Sequence, residues 1–245
     1  MANMIKIQNV SKKFGKNVVL HDINLEVEAG SSFVLIGKSG SGKSVLLKNI
    51  IGILQPDHGR IQIDGVDTTH IPQYKRITMN NKIGMLFQFS ALFDSLNVKD
   101  NVVFGINVHK KLNPKQAYDI AIENLFLVGL DESILNKYPS ELSGGMQKRV
   151  GIARMLATKP NILFFDEPTS GLDPIMSEMI NDLIIKTTKY LGATSFTITH
   201  DMKSAKKIAD KLAMIHNGEI IWQGKPQDVD SSENKILHDF IDGIY

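Results

Sequence analysis

Four apolar residues, Phe33-Val34-Leu35-Ile36, run directly into Gly37-Lys38-Ser39-Gly40-Ser41-Gly42-Lys43-Ser44. Apolar residues Val45, Leu46, Leu47, Ile50 and Leu54 then recur at helical spacing until Pro56 closes the pattern. An unbroken apolar run is what a strand buried on both faces requires. The chain is thereby committed to strand, glycine-rich loop and helix in immediate succession, the repeating unit of α/β sheets. Glycines at 37, 40 and 42 permit backbone angles and close approaches that a Cβ would block. Successive N–H groups of Gly37 to Ser44 can then converge on phosphate oxygens, with the positive end of the following helix adding to the attraction. The spacing is that of a phosphate-binding loop, in which Lys43 reaches the outer phosphates and the Ser44 hydroxyl is a natural Mg²⁺ ligand.

A nucleotide site of this kind needs a carboxylate to hold the metal and a second group to act on water. Ile162-Leu163-Phe164-Phe165-Asp166-Glu167-Pro168 supplies both at the end of another buried-type strand. Open α/β sheets bind ligands at the carboxyl ends of their strands. Asp166 is therefore placed to join the Mg²⁺ shell, and Glu167, one residue on, to polarise the attacking water.

The remaining pattern orders itself around these two strands. Ile5, Ile7 and Val10, then Val18 to Val27, read as strands, and Ile61 and Ile63 before Asp64-Gly65 read as a hairpin. From about residue 89 to 157 strand patterns give way to helical periodicity. There Asn113-Pro114 opens a helix whose apolar face is Ala117, Ile120, Ala121, Leu125 and Val128, ending at Gly129. Ile175 to Leu191 is a helix stopped by Gly192, Thr194 to Thr199 a strand, and Leu212 to Trp222 a hairpin turning at Asn217-Gly218, with a last helix over Asn234 to Ile241. The expectation is one domain over 1–245, with an α/β core formed by 1–88 and 158–245 and a helical subdomain inserted at about 89–157.

Composition narrows the function classes. The chain of 245 residues has no cysteine, which excludes disulfides, thiolate catalysis and cysteine-bound zinc. A formal net charge of +2 gives no case for a nucleic-acid partner. No secretory leader is expected from Met1 to Val10, and no apolar run approaches the roughly 18 residues that would span a bilayer.

Leu142-Ser143-Gly144-Gly145-Met146, twenty residues before the Asp166 strand ends, turns these parts into a specific resemblance. Together with the phosphate loop and the Asp-Glu strand end, it resembles the signature of ATP-binding-cassette (ABC) ATPases, and the resemblance covers almost the whole chain. It implies a P-loop NTPase core with an antiparallel β subdomain and the inserted α-helical subdomain. It also implies ATP and Mg²⁺ as ligands, and a second copy of the chain, because Ser143, Gly144 and Gly145 would cap the ATP held by the partner. Phe14 matches the aromatic that stacks on adenine. Gln88, after the strand Ile83 to Phe87, matches the glutamine that touches Mg²⁺ or the water. Ser170-Gly171-Leu172-Asp173 matches the segment that meets the partner's phosphate loop, and His200 matches the switch histidine at the γ-phosphate.

One departure points to a branch. The usual fifth signature residue is Gln, and here it is Met146. With the Ala91-Leu92-Phe93-Asp94-Ser95 run and Asp239-Phe240-Ile241-Asp242-Gly243, it resembles the MlaF-like or Mkl-like ATPases paired with MCE-domain proteins in bacterial lipid transport. That resemblance implies an ATP-hydrolysing subunit, peripheral at the cytoplasmic face of the inner membrane, working with integral-membrane permease subunits and an MCE-domain substrate-binding protein. Ala91, Leu92, Phe93, Leu96 and Val98 are the candidate dock for a permease helix, the alternative being that they form internal core. The competing function is a soluble ABC ATPase without a permease. A non-hydrolytic scaffold is disfavoured by the presence of Asp166, Glu167 and His200.

Overall fold

The computed structural model describes residues 3–72, 82–108 and 110–244. They fall into two compact units, Met1–Asn80 with Ala193–Tyr245, and Asn81–Gly192. The expected 89–157 segment lies inside the second unit, which also takes in the Asp166 strand and the helix after it.

In the first unit, β1 (Asn3–Phe14), β2 (Asn17–Glu28), β4 (His58–Ile63) and β5 (Val66–Asp67) form an antiparallel sheet in the order β2-β1-β4-β5. Alternation sets its buried face: Ile23, Leu25 and Val27 of β2 are buried, as are Ile5 and Ile7 of β1. Val10 breaks the period of two yet is also buried, because the β1 register shifts between Ile7 and Val10. Asn9 absorbs the extra residue at φ +53°, with its N–H on Asn24 Oδ1 at 2.9 Å and its Nδ2 on Asp22 Oδ1 at 2.8 Å. This bulge returns the apolar side chains to the core face.

The same unit holds β3 (Ser32–Ile36), β8 (Thr194–Thr199), β9 (Lys211–His216) and β10 (Glu219–Gly224), in the order β10-β9-β3-β8. Strand β3 runs parallel to both β8 and β9, and β9 and β10 form the expected hairpin, turning at Asn217 and Gly218 with both φ positive. Helices α1 (Lys43–Ile50), α6 (Met202–Ile208) and α7 (Lys235–Ile241) belong to the same unit. Helix α1 stops at Ile50 rather than reaching Leu54. The Gly52 N–H turns back to Asn49 O and the Leu54 N–H to Lys48 O, with Gly52 at φ +79°, so a turn ends the helix before Pro56 does.

The second unit contains the parallel pair β6 (Ile83–Leu86) and β7 (Ile162–Asp166), in register Ile83 to Ile162 and Met85 to Phe164. Helices α2 (Val98–Asn107), α3 (Pro114–Leu127), α4 (Gly144–Ala157) and α5 (Pro174–Leu191) surround it in sequence. Each helix starts at a side-chain cap: Asn97, Asn113 in a full capping box with Gln116, Ser143 and Asp173. Gly192 ends α5 in the left-handed conformation, as expected. Among the described residues, no helix is long and apolar enough to cross a membrane.

Candidate functional site

The candidate residues divide between the two units. The first unit carries Phe14, the loop Gly37 to Ser44 and His200. The second carries Gln88, Ser143 to Gly145, Asp166, Glu167 and Asp173.

The loop between β3 and α1 is walled by backbone. A Cβ on Gly37 would lie 2.4 Å from Ile215 O and 2.8 Å from Ser41 Oγ. A Cβ on Gly42 would lie 2.9 Å from Leu20 and 3.0 Å from Val19 O, and Gly42 holds φ +109°. Gly40, at φ +81°, has open space around it, so conformation alone requires glycine there. Lys43 is buried at the start of α1, and its ammonium donates to Gly37 O at 2.6 Å and Lys38 O at 2.9 Å. The side chain therefore arches over the loop, where an anionic oxygen would meet it. Ser41 Oγ is buried without a hydrogen-bond partner, an unsatisfied polar atom in the wall of the cradle. Ser39 and Ser44 are exposed. A glycine-walled concavity with a buried cation and an unsatisfied hydroxyl fits a phosphate chain.

Phe14 ends β1 nearly half exposed, and the Lys12 ammonium sits 5.6 Å from its ring centroid. Asp57 anchors that hairpin from below: it accepts the Lys13 N–H at 2.7 Å and pairs with Lys12 at 3.0 Å. These bonds, the Lys13 N–H foremost, hold the Asp57 carboxyl below its usual range. His200 is exposed just past β8. Its backbone is fixed from the C-terminal side, because the Asp201 N–H donates to Thr199 Oγ1 at 3.0 Å and the Asp201 carboxylate caps α6 through the Lys203 N–H and the Ser204 hydroxyl. Sequence reasoning missed Asp201, although an Asp just past a strand is a recognised helix N-cap residue.

In the second unit, Asp166 and Glu167 lie half-buried at the carboxyl end of β7. Glu167 holds φ +47°, a left-handed conformation that is rare for a residue with a side chain and that concentrates at functional positions. Gln88 follows β6, and its Nε2 donates to Ser170 Oγ at 3.3 Å, joining it to the Ser170–Asp173 segment. Its carbonyl accepts from the Lys148 ammonium. Ser143 caps α4 through the Met146 N–H at 3.3 Å, leaving the α4 N-terminus glycine-bare at Gly144. Asp173 spends its Oδ1 on the Met176 N–H at 2.9 Å, capping α5.

Lys148 and Arg154, both on α4, are the residues that sequence reasoning missed here. Arg154 donates to Ala91 O and Ser90 O, both at 2.7 Å, where Ser90 and Ala91 are successive left-handed residues, and its cation lies 5.9 Å from the Phe93 ring. Asn101 clasps the same segment from α2, accepting the Phe93 N–H at 2.8 Å. Of the proposed docking residues, Val98 is core rather than surface, Leu92 and Leu96 are half-buried, and Ala91 and Phe93 are exposed. Val98 is buried because it begins the inward face of α2, where its N–H bonds Lys137 O. Phe89, 84% exposed, is the most prominent apolar side chain there.

Each unit by itself offers hard oxygens to a cation, the first the Ser44 hydroxyl and the second the Gln88 amide and the Asp166 carboxylate. That set suits Mg²⁺, which keeps several waters and shares substrate phosphates. It suits a zinc-type cage poorly, and among the described residues no group of three or more His, Asp or Glu side chains could hold a metal.

A sequence model described as "ABC transporter" matches residues 20–170. A probable ribonucleotide transport ATP-binding protein (mkl) of Mycobacterium leprae is 37% identical over 245 residues, covering 99% of this chain and 70% of that one. The chloroplastic protein trigalactosyldiacylglycerol 3 of Arabidopsis thaliana is 35% identical over 256 residues, covering 98% of this chain and 74% of that one. Among solved structures, an ATP-binding cassette seen as a dimer in a post-hydrolysis state, bound to ADP and phosphate, superposes with a TM-score of 0.84 at 32% identity, over 91% of this chain and 99% of that one.

Proposed function

The chain belongs to the ABC transporter family as an ATP-binding, ATP-hydrolysing subunit, and from that premise we propose that it powers the transport of phospholipid or another hydrophobic solute. The observation that carries the nucleotide part of this reading is the loop wall. Gly37 faces a carbonyl oxygen at a distance no Cβ could occupy and Gly42, at φ +109°, faces one at close to contact, while Lys43 and an unsatisfied Ser41 hydroxyl line the cradle. Met146 and the run Ala91 to Ser95 support the lipid branch, as does a relative that bears a lipid's name.

In this reading two copies of the chain enclose two ATP molecules, in keeping with the dimer seen for the similar solved cassette. Backbone N–H groups of Gly37 to Ser44 hold the phosphates, and Lys43 neutralises the outer ones. Phe14 stacks on the base. Ser44, Gln88 and Asp166 would hold Mg²⁺, which when bound withdraws charge from the phosphates. Glu167 accepts the proton of the attacking water, and His200 bonds the γ-phosphate oxygens. Ser143, Gly144 and Gly145 of one copy close on the ATP of the other, at the positive end of α4. Asp173, already bonded within its own cap, presents its segment to the partner's loop. Loss of the γ-phosphate removes the bonds of Lys43, His200 and Ser143 together, so the dimer opens.

The subunit sits peripherally at the cytoplasmic face of a bacterial inner membrane. Phe89, Phe93 and Ala91 receive a helix of the permease, and an MCE-domain protein delivers substrate to that permease.

Glu167→Gln separates binding from hydrolysis. The variant should form an ATP-dependent dimer on size exclusion and hydrolyse ATP at least about 100-fold more slowly, the range for loss of a general base. Turnover at the parent rate would remove Glu167 from the mechanism. Affinity purification of the tagged subunit from detergent-solubilised membranes tests the rest. A multi-span permease, an MCE-domain protein and co-purifying phospholipid are expected; recovery of the subunit alone favours the permease-free ATPase.

A further inference from the structure

We propose that Lys148 is a positioning residue for ATP hydrolysis: its ammonium clamps the Gln88 carbonyl beside the acidic end of β7 and so sets where the Gln88 amide lies. The proposal rests on the roles given above to Gln88, Asp166 and Glu167.

Lys148 sits on α4, five residues after the Ser143 cap, and is 5% exposed. Lysine is among the residues least often buried, and when buried it demands acceptors. Its acceptor is the carbonyl of Gln88, 60 residues away in sequence. Two glycines bring the helix close enough for this bond. A Cβ on Gly151 would lie 2.8 Å from the Leu86 side chain, and one on Gly84 2.4 Å from that of Met155, so α4 and β6 approach without intervening side-chain bulk at either place. Burial pushes the ammonium below its usual range, while the carboxylates of Asp166 and Glu167 draw it back up. The cation is therefore within electrostatic reach of both carboxylates as well as bonded to Gln88.

The consequence is mechanical and chemical at once. Gln88 is pinned at both ends, its carbonyl by Lys148 and its amide by Ser170 Oγ at 3.3 Å. Both pins run to elements that the signature and the Ser170–Asp173 segment also belong to. A neutral side chain at 148 would leave the Gln88 carbonyl without its donor. A packing role alone would need neither the ammonium nor its bond. Methionine has nearly the same length and is well tolerated in cores.

The test is a double-mutant cycle on the full-length chain, reading kcat and KM for MgATP with Lys148→Met, Lys148→Arg, Gln88→Ala and the Lys148→Met/Gln88→Ala pair. Lys148→Met should lower kcat roughly 10- to 100-fold, the scale of a misplaced catalytic group, with KM changed less than about threefold. Lys148→Arg should restore most of the loss. In the Gln88→Ala background the Lys148→Met substitution should have little further effect, because the group it positions is gone. A kcat within twofold of the parent overturns the proposal. So does a loss that raises KM in step, that arginine does not rescue, or that multiplies fully with Gln88→Ala, each of which marks a structural lysine. If Lys148→Met does not fold, Lys148→Leu, which also removes the ammonium, carries the same readouts in its own cycle with Gln88→Ala. Parent-level turnover in Glu167→Gln would instead mark failure of the underlying hydrolysis reading.

Discussion

The phosphate loop of the first unit and the Gln88–Asn97 segment of the second are held in opposite ways. The loop is built from absence: a Cβ at Gly37 would collide with backbone oxygen and one at Gly42 would crowd Val19 O at a φ of +109°, so its shape depends on atoms that are not there. The Gln88–Asn97 segment is built from presence. Lys148, Arg154 and Asn101 reach into it with donors that satisfy the carbonyls of Gln88, Ser90, Ala91, Phe93, Leu96 and Asn97. A backbone-walled loop offers a fixed array of N–H groups to a ligand. A segment stapled by side chains can instead be moved by moving the helices that carry the staples, α2 and α4. The difference suits a binding cradle on one side and a relay on the other.

The contrast predicts that the first region breaks when an atom is added and the second when a donor is removed. The largest effect is expected for Gly37→Ala. The new methyl group would sit 2.4 Å from Ile215 O, a backbone atom of β9 that cannot rotate away. Overpacking costs about 1–3 kcal/mol, and against a fixed backbone atom the upper end is expected, with relief coming from the loop itself. ATP affinity should fall more than about 100-fold in a fluorescent-nucleotide titration. Affinity within threefold of the parent would show that the loop yields, and the proposed division between the regions would lose its first half.

Asn101→Ala tests the second half. Asn101 is fully buried, and its Nδ2 donates to Phe93 O at 3.1 Å, Leu96 O at 2.9 Å and Asn97 O at 3.1 Å. Alanine leaves the Phe93 N–H and the Leu96 carbonyl without this partner, which should destabilise the chain by about 3 kcal/mol in urea unfolding. ATP affinity should change little, since no nucleotide contact is assigned to this segment's clasp. A stability loss under about 0.5 kcal/mol would mean water replaces the clasp and the segment needs no side-chain staple.

The same contrast explains what was readable from sequence. Glycine punctuation and apolar periodicity are local, so the loop at 37–44, the Asn113 cap, the Gly192 stop and the Asn217-Gly218 turn were all legible. So were the strand patterns at Ile5 to Val10, Val18 to Val27 and Ile61 to Ile63, while their joining in one antiparallel sheet was what the family resemblance implied. Helix α2 was not resolved as a separate element: its buried set is Val98, Asn101, Val102 and Val103, and a polar residue in the middle masks the stripe. Helix α6 was missed because seven residues, three of them Lys, show too little periodicity. Lys148, Arg154 and Asn101 look like solvated side chains in sequence. Their partners are carbonyls brought in by packing, 60, 63 or 64, and 4 to 8 residues away, and a carbonyl leaves no trace in residue type. The bend at Asn9 and the left-handed Glu167 are likewise set by tertiary fit rather than by intrinsic preference.

The smallest expected effect sharpens the comparison most. Gly145 also lacks room, since a Cβ would lie 2.1 Å from the Met176 methyl group. Unlike Ile215 O, that atom is the far end of a flexible side chain, and the thioether can swing aside at small cost. Gly145 is also the second residue of α4, where alanine is favoured over glycine by up to about 1 kcal/mol. The two terms oppose, so Gly145→Ala should shift unfolding free energy by no more than about 0.5 kcal/mol. Adding Met176→Ala removes the steric term along with the methionine's own packing. If the methyl contact is what restrains Gly145→Ala, the double variant should be more stable than the sum of the two single effects. A loss of 2 kcal/mol or more from Gly145→Ala alone would show the α4–α5 contact to be as unyielding as the phosphate loop. Steric closure would then be shared by both regions, and only the donor staples of the Gln88–Asn97 segment would still set them apart.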